Sequence, residues 1–494
     1  MELKGGRRYA PALAAVLALL GWAVVNGAPF VYPDTQTYLY LGEGVLGLES
    51  SAPAPDTAPT PDADPSAAPV ALPDAAEPDG ERLVQTPPSL YYGALAALPL
   101  PLPRPWTAVL LQALFTSALL GLALRALAGA SALAFLPALA GGLALGTPLG
   151  LFVGLVMPDV WVGLVVLGVA LLASHGERLG LAGRALAFAV AAGGAAVHPS
   201  HLAVLLLLVP VTFALRRRRP KAPARLVLAA AAAGLLAHAA QGAVLTRHHD
   251  ARLVRPPHLT AHLIDAGPGM RLVEERCPEL GLEICAYREG LPVEWRHFLF
   301  GFPYGGGVTT AQLRLADEDF AFARATLAHD PLGVVAMGVE ATAWQLVRVG
   351  LTTAPIRASI GERGALVTFP AALREDVESG RFYEADAVYA LIEAVFAGVL
   401  LLATLLLGAG LAGRGPARAL AADADLRRFA SVVLCGVVAN AAVCGILASP
   451  YARFQARIAW LVPATAALVL LAARHASAGA IPQRERQSRE GGPR

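Results

Sequence analysis

A carboxylate and two tyrosines follow the first apolar segment of the chain. Residues 27–38 are Gly-Ala-Pro-Phe-Val-Tyr-Pro-Asp-Thr-Gln-Thr-Tyr, which places Asp34 between Tyr32 and Tyr38. A carboxylate can accept the proton of an attacking hydroxyl, and tyrosines can line its pocket or simply lie at a membrane surface. Asp34 can equally cap a helix beginning at Thr35, because Asp is a favoured N-cap residue. The sequence leaves both roles open.

A second acid and a basic pair open two later apolar segments. Asp159 follows Pro158, where it either adds a second acidic group to the site or stabilises a helix N-terminus. Arg453 and Arg457 are four residues apart, so they share one face of the last apolar helix. Arginine suits bidentate recognition of phosphate, and we predict an anion at this pair. An ion pair with an acid of the external domain, or with Asp34 itself, is the alternative.

Two histidines three residues apart flank a tight turn, His198-Pro-Ser-His201. They can bind a metal or contact a phosphate. A Pro-Ser turn with histidines at a membrane surface explains the same residues, and the turn chemistry favours it. The sequence contains no Ser-His-Asp arrangement, Walker motif or dinucleotide fingerprint.

The composition is that of a membrane protein. Hydrophobic residues make up 56% of the 494 residues and charged residues 15%, whereas a soluble domain carries about 25% charged residues. The mean hydropathy is +0.55. The net charge is only +2, and the arginines lie mainly in loops, where they set the topology, so we expect no nucleic acid as a partner.

We predict an all-α polytopic membrane protein with about ten transmembrane helices and a small external domain. The predicted spans are 9–29, 106–127, 131–149, 157–174, 184–199, 201–215, 225–245, 386–410, 429–449 and 457–473. Lys4, Arg7 and Arg8 precede the first span, and the later arginine-rich breaks fall on the same side. The positive-inside rule therefore places both termini in the cytoplasm and all the candidate site residues at the outer face.

The predicted spans and the segments between them divide the chain into six predicted regions. They are 1–48 (first span and start of the first external loop), 49–86 (a disordered Pro/Asp-rich insertion), 87–245 (a membrane helical module), 246–385 (the external domain), 386–476 (C-terminal membrane helices) and 477–494 (a disordered cytoplasmic tail). The insertion has too few apolar residues to fold. Within the external domain, Glu340, Gln345 and Arg348 interrupt an apolar stretch, which predicts an amphipathic helix on the outer surface with Trp344 at headgroup level.

The four cysteines fall into two pairs. Cys277 and Cys285 lie in the predicted external domain, where an oxidising compartment and their short spacing predict a disulfide. A zinc site is disfavoured because no second pair is near and His297 is twelve residues further on. Cys435 and Cys444 share one predicted span, and we expect both to be small core residues.

The plan of the spans, the long first external loop and the acids in the first two external loops resemble the GT-C superfamily of membrane glycosyltransferases. The resemblance implies catalytic roles for Asp34 and Asp159. Several GT-C enzymes use a basic residue at the outer end of a late span for the lipid phosphate, which implies that role for Arg453 and Arg457. Tyr32, Tyr38, His198 and His201 are the further candidates for contacts to substrate or lipid phosphate. GT-C enzymes often have two adjacent acids in the first loop, whereas this chain has only Asp34 between Pro33 and Thr35.

The same resemblance implies the partners. A polyprenyl-phosphate sugar would be the donor, and a glycan, lipid or protein on the periplasmic face of a bacterial inner membrane would be the acceptor, with membrane lipids around the protein. Whether a divalent cation takes part is left open. A non-catalytic protein that binds or transports a lipid-linked glycan is the rival. Transporters usually place charges at mid-membrane within inverted repeats, and this sequence has neither feature.

The predicted topology has a direct test. Reporter fusions at residues 300 and 420 should lie on opposite sides of the membrane, because an odd number of predicted spans separates the two positions. Reporters on the same side would contradict the orientation.

Overall fold

Helices dominate the structure. The computed structural model describes residues 6–48, 82–216, 222–303, 309–351, 354–359, 366 and 369–490. It is 76% helical, which confirms the predicted all-α class. In this part of the chain, strands are limited to β1 (Leu83–Gln85) and β2 (Arg252–Val254), which pair in parallel with Leu83 opposite Arg252.

The N-terminal half contains α1 (Gly6–Asn26), α2 (Thr35–Leu46), α3 (Leu90–Ala96), α4 (Arg104–Ala128), α5 (Leu136–Gly146), α6 (Leu149–Val153), α7 (Asp159–His175), α8 (Leu181–Ala196), α9 (Pro199–Leu215) and α10 (Ala222–His249). The middle contains α11 (His258–Asp265), α12 (Pro268–Arg276), α13 (Trp295–Phe300), α14 (Thr310–Asp317), α15 (Asp319–His329) and α16 (Pro331–Val347). The C-terminal part contains α17 (Ala371–Glu378), α18 (Asp386–Leu411), α19 (Ala419–Ala422), α20 (Ala424–Leu447), α21 (Ala452–Ala459) and α22 (Leu461–Glu490). Short 3-10 helices lie at Ala130–Phe135 and Glu283–Gly290.

Six stretches of the described chain are long and apolar enough to cross a membrane. They are Tyr9–Asn26, Pro105–Ala128, Ala224–His249, Asp386–Leu411, Ala424–Leu447 and Ala452–His475. The other four predicted spans correspond to shorter apolar helices, namely α5 with the 3-10 turn before it, α7, α8 and α9. A 17-residue helix is about 26 Å long, less than the roughly 30 Å of the hydrocarbon layer. Ten full-length spans are therefore not observed.

The central helix α7 explains how a short helix can belong to the bundle. Every residue of α7 is buried, and the helix packs against α4, α8, α9, α10, α20 and α21. Glycines allow the close approach, since a Cβ at Gly163 would lie 2.7 Å from the Trp460 ring and one at Gly436 would lie 2.5 Å from Val166. A helix enclosed by protein has no contact with lipid and does not need the length of the bilayer.

Ion pairs close the C-terminal end of α7. Asp425 accepts contacts from Arg178, at 2.9 Å, and from Arg428. Arg216, which is almost fully buried, pairs with Glu177. These residues come from the predicted arginine-rich breaks, where we expected them only to orient the chain. The structure shows that they also join α7, α9 and α20.

A second hydrophobic core lies within the predicted external domain 246–385. It extends from Ala261 to Met337 and is formed by α11–α16. Residues 351–385 instead contribute Leu351, Ile356 and Phe369 to the main core. Cys277 and Cys285 form the predicted disulfide, and both pack against the small core.

Helix α16 lies against the end of the bundle. At its crossing with α20, a Cβ at Gly445 would lie 2.7 Å from the Ala341 carbonyl. The opposite half of α16 exposes Leu332, Val339 and Trp344. An apolar exposed half fits a helix on a membrane surface, which stays a prediction.

Two predicted segments lie partly outside the described residues. Residues 49–81 of the predicted insertion are among them, and β1 follows at Leu83–Gln85. Helix α22 continues to Glu490 within the predicted tail, and 491–494 lie outside the described residues. Cys444 is buried as expected, whereas Cys435 is exposed because it lies on the outer side of α20.

A glycine contact between α2 and α3 gives a stability prediction. A Cβ at Gly42 would lie 2.0 Å from the Gly93 carbonyl oxygen, whereas a Cβ at Gly44 would meet nothing within 4 Å. We expect Gly42→Ala to cost about 1–3 kcal/mol through overpacking and Gly44→Ala to stabilise the helix by up to about 1 kcal/mol. Thermal unfolding of the purified protein in one detergent measures both. Equal midpoints for the two variants would contradict the contact.

Candidate functional site

Two loops that are far apart in sequence are joined at the N-terminal end of α7. The Phe30 amide donates to the Gly154 carbonyl at 2.8 Å, and the Val156 amide donates to the Phe30 carbonyl at 2.9 Å. The Thr35 hydroxyl accepts from the Tyr32 amide and donates to the Val156 carbonyl, each at 2.9 Å. These bonds hold the loop between α1 and α2 against the loop that leads into α7. The structure thereby places the two predicted acidic residues at one site.

The side chain of Asp159 lies between two buried arginines. Its Oδ1 is 3.5 Å from Arg457 Nη1 and 3.6 Å from Arg453 Nε. The three residues are 2%, 3% and 6% exposed, respectively. Buried charges need balancing charges, and here one carboxylate faces two guanidinium groups. The arrangement therefore favours a further anion.

Arg457 is held by several protein groups. Its Nη2 is 3.2 Å from Ser200 Oγ, 3.4 Å from Asn440 Oδ1 and 3.2 Å from Cys444 Sγ. These contacts, with the Asp159 contact, join α7, α9, α20 and α21. Arg457 is thus mainly a support of the site.

Arg453 has few hydrogen-bond partners. Its guanidinium carbon lies 3.6 Å from the centre of the Tyr32 ring, which fixes the plane of the group. Nε and Nη1 are buried, and neither donates a hydrogen bond within the described part of the chain. An unmade buried donor costs about 1–3 kcal/mol. Arg453 therefore has more hydrogen-bond donors available to an anion than Arg457 has.

Asp34 is exposed at the surface of the protein. Many protein atoms nevertheless lie around its carboxyl group, so that the group is only partly hydrated. It occupies the N-cap position of α2, but its carboxylate makes no capping hydrogen bond. Burial raises the pKa of the Asp34 carboxyl, the Arg453 guanidinium lowers it, and the Asp159 carboxylate raises it. The side chain is thus free of the structural role that the sequence allowed and lies within electrostatic reach of Arg453.

The remaining predicted residues surround this centre at different depths. His198 caps the N-terminus of α9, where its ring accepts a hydrogen bond from the Ser200 amide. The centre of the His198 ring is 5.0 Å from that of the buried His201. His201 Nδ1 contacts the Gly194 carbonyl at 3.0 Å. Tyr38 is buried and packs edge-on against Tyr92, with ring centres 4.9 Å apart. Tyr38 therefore supports the α2–α3 contact, whereas Tyr32 contacts an arginine directly.

Helix α16 positions the start of α21. The Gln345 amide group donates to the Tyr451 carbonyl at 2.9 Å and accepts from the Tyr451 amide at 2.8 Å. Arg348 donates to the Pro450 carbonyl at 3.0 Å. In the sequence, Gln345 and Arg348 argued against a membrane span. In the structure, they hydrogen-bond to Tyr451 and Pro450 and so hold the loop that precedes α21, the helix that contains Arg453.

Several contributing residues were not predicted. Ser200, Asn440 and Cys444 all contact Arg457. Asn440 could have been found from sequence, since a polar residue inside an apolar span is often functional. Ser200 and Cys444 carried no such signal. In the described residues, no group of three or more His, Cys, Asp or Glu side chains is placed to hold a metal ion.

Comparison with known proteins adds no identification. No family model matches the chain, and the comparisons with curated proteins and with solved structures gave no match. Function must therefore be inferred from the site itself.

The contacts of the two arginines predict different effects of the same substitution. Arg453→Gln should weaken binding of farnesyl phosphate by about 2–4 kcal/mol, because a charge-assisted contact is lost, and it should lower the unfolding temperature less than Arg457→Gln, because Arg457 still pairs with Asp159. Arg457→Gln should lower stability by about 3–5 kcal/mol, because Asp159 loses a buried partner and the contacts to Ser200, Asn440 and Cys444 are lost as well. Isothermal calorimetry and thermal unfolding in nanodiscs measure the two effects. Intact binding in Arg453→Gln, or a stable Arg457→Gln protein that alone loses binding, would reverse the assignment.

Proposed function

We propose that the protein is a GT-C-like glycosyltransferase that transfers a sugar from a polyprenyl phosphate to an acceptor on the outer face of a bacterial inner membrane. One observation carries the proposal. An accessible carboxylate, Asp34, lies within electrostatic reach of Arg453, whose buried donors lack hydrogen-bond partners among the described residues. A proton acceptor beside an anion site is what transfer from a sugar phosphate requires.

The reaction assigns a role to each group. Asp34 accepts the proton of the acceptor hydroxyl as its oxygen attacks the anomeric carbon of the sugar. The bond between that carbon and the phosphate oxygen breaks, and the electron pair stays on the phosphate. Arg453 stabilises the negative charge that develops there. Asp159 keeps both arginines in place.

The proton transfer to Asp34 keeps the charge of the site constant. Arg453 and Arg457 carry two positive charges, which Asp159 and the ionised Asp34 balance. A bound phosphodiester adds one negative charge, and the leaving phosphate gains one more as Asp34 takes up a proton. The total charge of the site is then the same before and after transfer, which avoids a change of net charge in a region of low dielectric constant.

The surroundings of the site support a lipid as the carrier of the phosphate. The site lies at the end of a helical bundle with six helices able to cross a membrane. Helices α8 and α9 are 16 and 17 residues long, so their connecting turn at His198 is expected to lie below the membrane surface. In the proposed orientation both termini are cytoplasmic, and the disulfide-bonded region faces the periplasm.

Substitution of Asp34 tests catalysis. Asp34→Asn should reduce transfer by about a hundredfold or more, since an amide cannot accept the proton. Stability should stay near that of the wild type in both Asp34→Asn and Asp34→Ala, because the carboxylate makes no capping bond. Transfer should also fall as the pH is lowered through the raised pKa of Asp34, because protonation removes the base.

Accumulation of the substrate in cells provides the assay and identifies the sugar at the same time. A deletion strain should accumulate a lipid-linked sugar, whose mass is read by mass spectrometry. Wild-type protein should remove the accumulated lipid and Asp34→Asn should not. Complementation by Asp34→Asn would exclude Asp34 as the base and leave Asp159 as the next candidate. Binding of farnesyl phosphate without any transfer by the wild type would favour the alternative of a non-catalytic protein that binds or transports lipid-linked glycan.

A further inference from the structure

We propose that His198 is a hydrogen-bond donor of fixed tautomer that binds the phosphate together with Arg453, and that it is neither a base nor a metal ligand. This inference rests on the proposed function, because it concerns the same anion site. It assigns the binding atom, Nε2, and the network that orients it.

The hydrogen bonds of His198 determine its tautomer. Nδ1 is 3.2 Å from the Ser200 backbone nitrogen and 2.8 Å from Ser200 Oγ. A backbone N–H can only donate, so Nδ1 must present a lone pair to it. In a neutral imidazole the proton is then on Nε2.

A chain of polar contacts holds the ring in this state. Ser200 Oγ donates to His198 Nδ1 and accepts from Arg457 Nη2, at 3.2 Å. The other terminal nitrogen of Arg457 contacts Asp159 Oδ1 at 3.5 Å. The series from Asp159 through Arg457 and Ser200 to His198 therefore orients the imidazole. Arg457 acts on the anion indirectly, as a positioning residue.

The donor atom of His198 is accessible. The residue is only partly buried, and Nε2 has no acceptor in the described part of the chain. Ser200 Oγ lies 2.8 Å from His198 Nδ1 and 3.2 Å from Arg457 Nη2, which places the ring at the same site. A donor without an acceptor beside a positive group is suited to an oxyanion.

The second histidine has the opposite arrangement. His201 Nδ1 must donate to the Gly194 carbonyl, so its Nε2 carries a lone pair. That atom is buried and has no partner in the described residues. Nε2 of His198 is thus a hydrogen-bond donor, and Nε2 of His201 is an acceptor. A metal ion bound by both rings would need a lone pair on each Nε2, and His198 does not offer one.

Two amide substitutions at His198 separate binding from helix capping. Gln places its amide nitrogen near the position of Nε2 but does not reproduce the Nδ1 cap. Asn reproduces the cap, because it is a good N-cap residue, but does not reach the position of Nε2. With farnesyl phosphate as the probe and farnesol as the control without phosphate, His198→Gln should bind within about threefold of the wild type, and His198→Asn should bind at least about tenfold more weakly.

The outcomes distinguish the inference from the proposed function. Binding retained in His198→Asn, or lost equally in both variants, would overturn the donor role of Nε2. Thermal unfolding identifies a variant that is misfolded, and ¹⁵N spectra of histidine-labelled wild-type protein then decide, since a protonated Nδ1 in His198 would overturn the tautomer. If the wild type does not prefer farnesyl phosphate to farnesol, the proposed function fails instead, whatever the tautomer.

Discussion

The burial of two arginines beside one aspartate is the constraint on which the rest of the site depends. Arg453 and Arg457 would be very unfavourable in an apolar bundle without Asp159 between them. Asp159 can reach both because it begins α7, the helix that is enclosed by the others. Helix α21 ends just before Trp460, whose indole donates to the Arg457 carbonyl at 3.0 Å. Ion pairing and helix packing therefore support each other.

The short helices of the bundle have a consequence for chemistry. α7, α8 and α9 have 17, 16 and 17 residues, fewer than the roughly 20 of a typical span, and every residue of α7 is buried. The polar N-terminal end of α7 and the turn at His198 are consequently close to apolar surroundings. Electrostatic interactions are stronger there than in water, so a few charged groups can bind an anion firmly. The opposite end of α7, with its several ion pairs, contains no comparable unpaired donor among the described residues.

The site contains buried side chains that are held by several contacts and one exposed side chain that is not. Asp159 and Arg457 are buried and engaged in several contacts, whereas Asp34 is exposed and makes no capping bond. Arg453 is intermediate, because it is buried and stacked on Tyr32 but has donors to spare. A preorganised scaffold with a few available groups is the arrangement that binding and catalysis require. The backbone bonds between the Phe30 and Gly154 loops hold Asp34 in this position.

The sequence by itself determined the all-helical class, the Cys277–Cys285 disulfide and the residues that open the important helices. Apolar blocks and the spacing of residues such as Arg453 and Arg457 are local properties, and local rules describe them well. Tertiary structure decided how many helices are long enough to cross a membrane, because burial of α7 by its neighbours cannot be seen in its composition. It also decided which arginine has free donors and which nitrogen of His198 carries the proton. Those properties depend on Tyr32, Ser200 and Asn440, which come together only when distant segments pack.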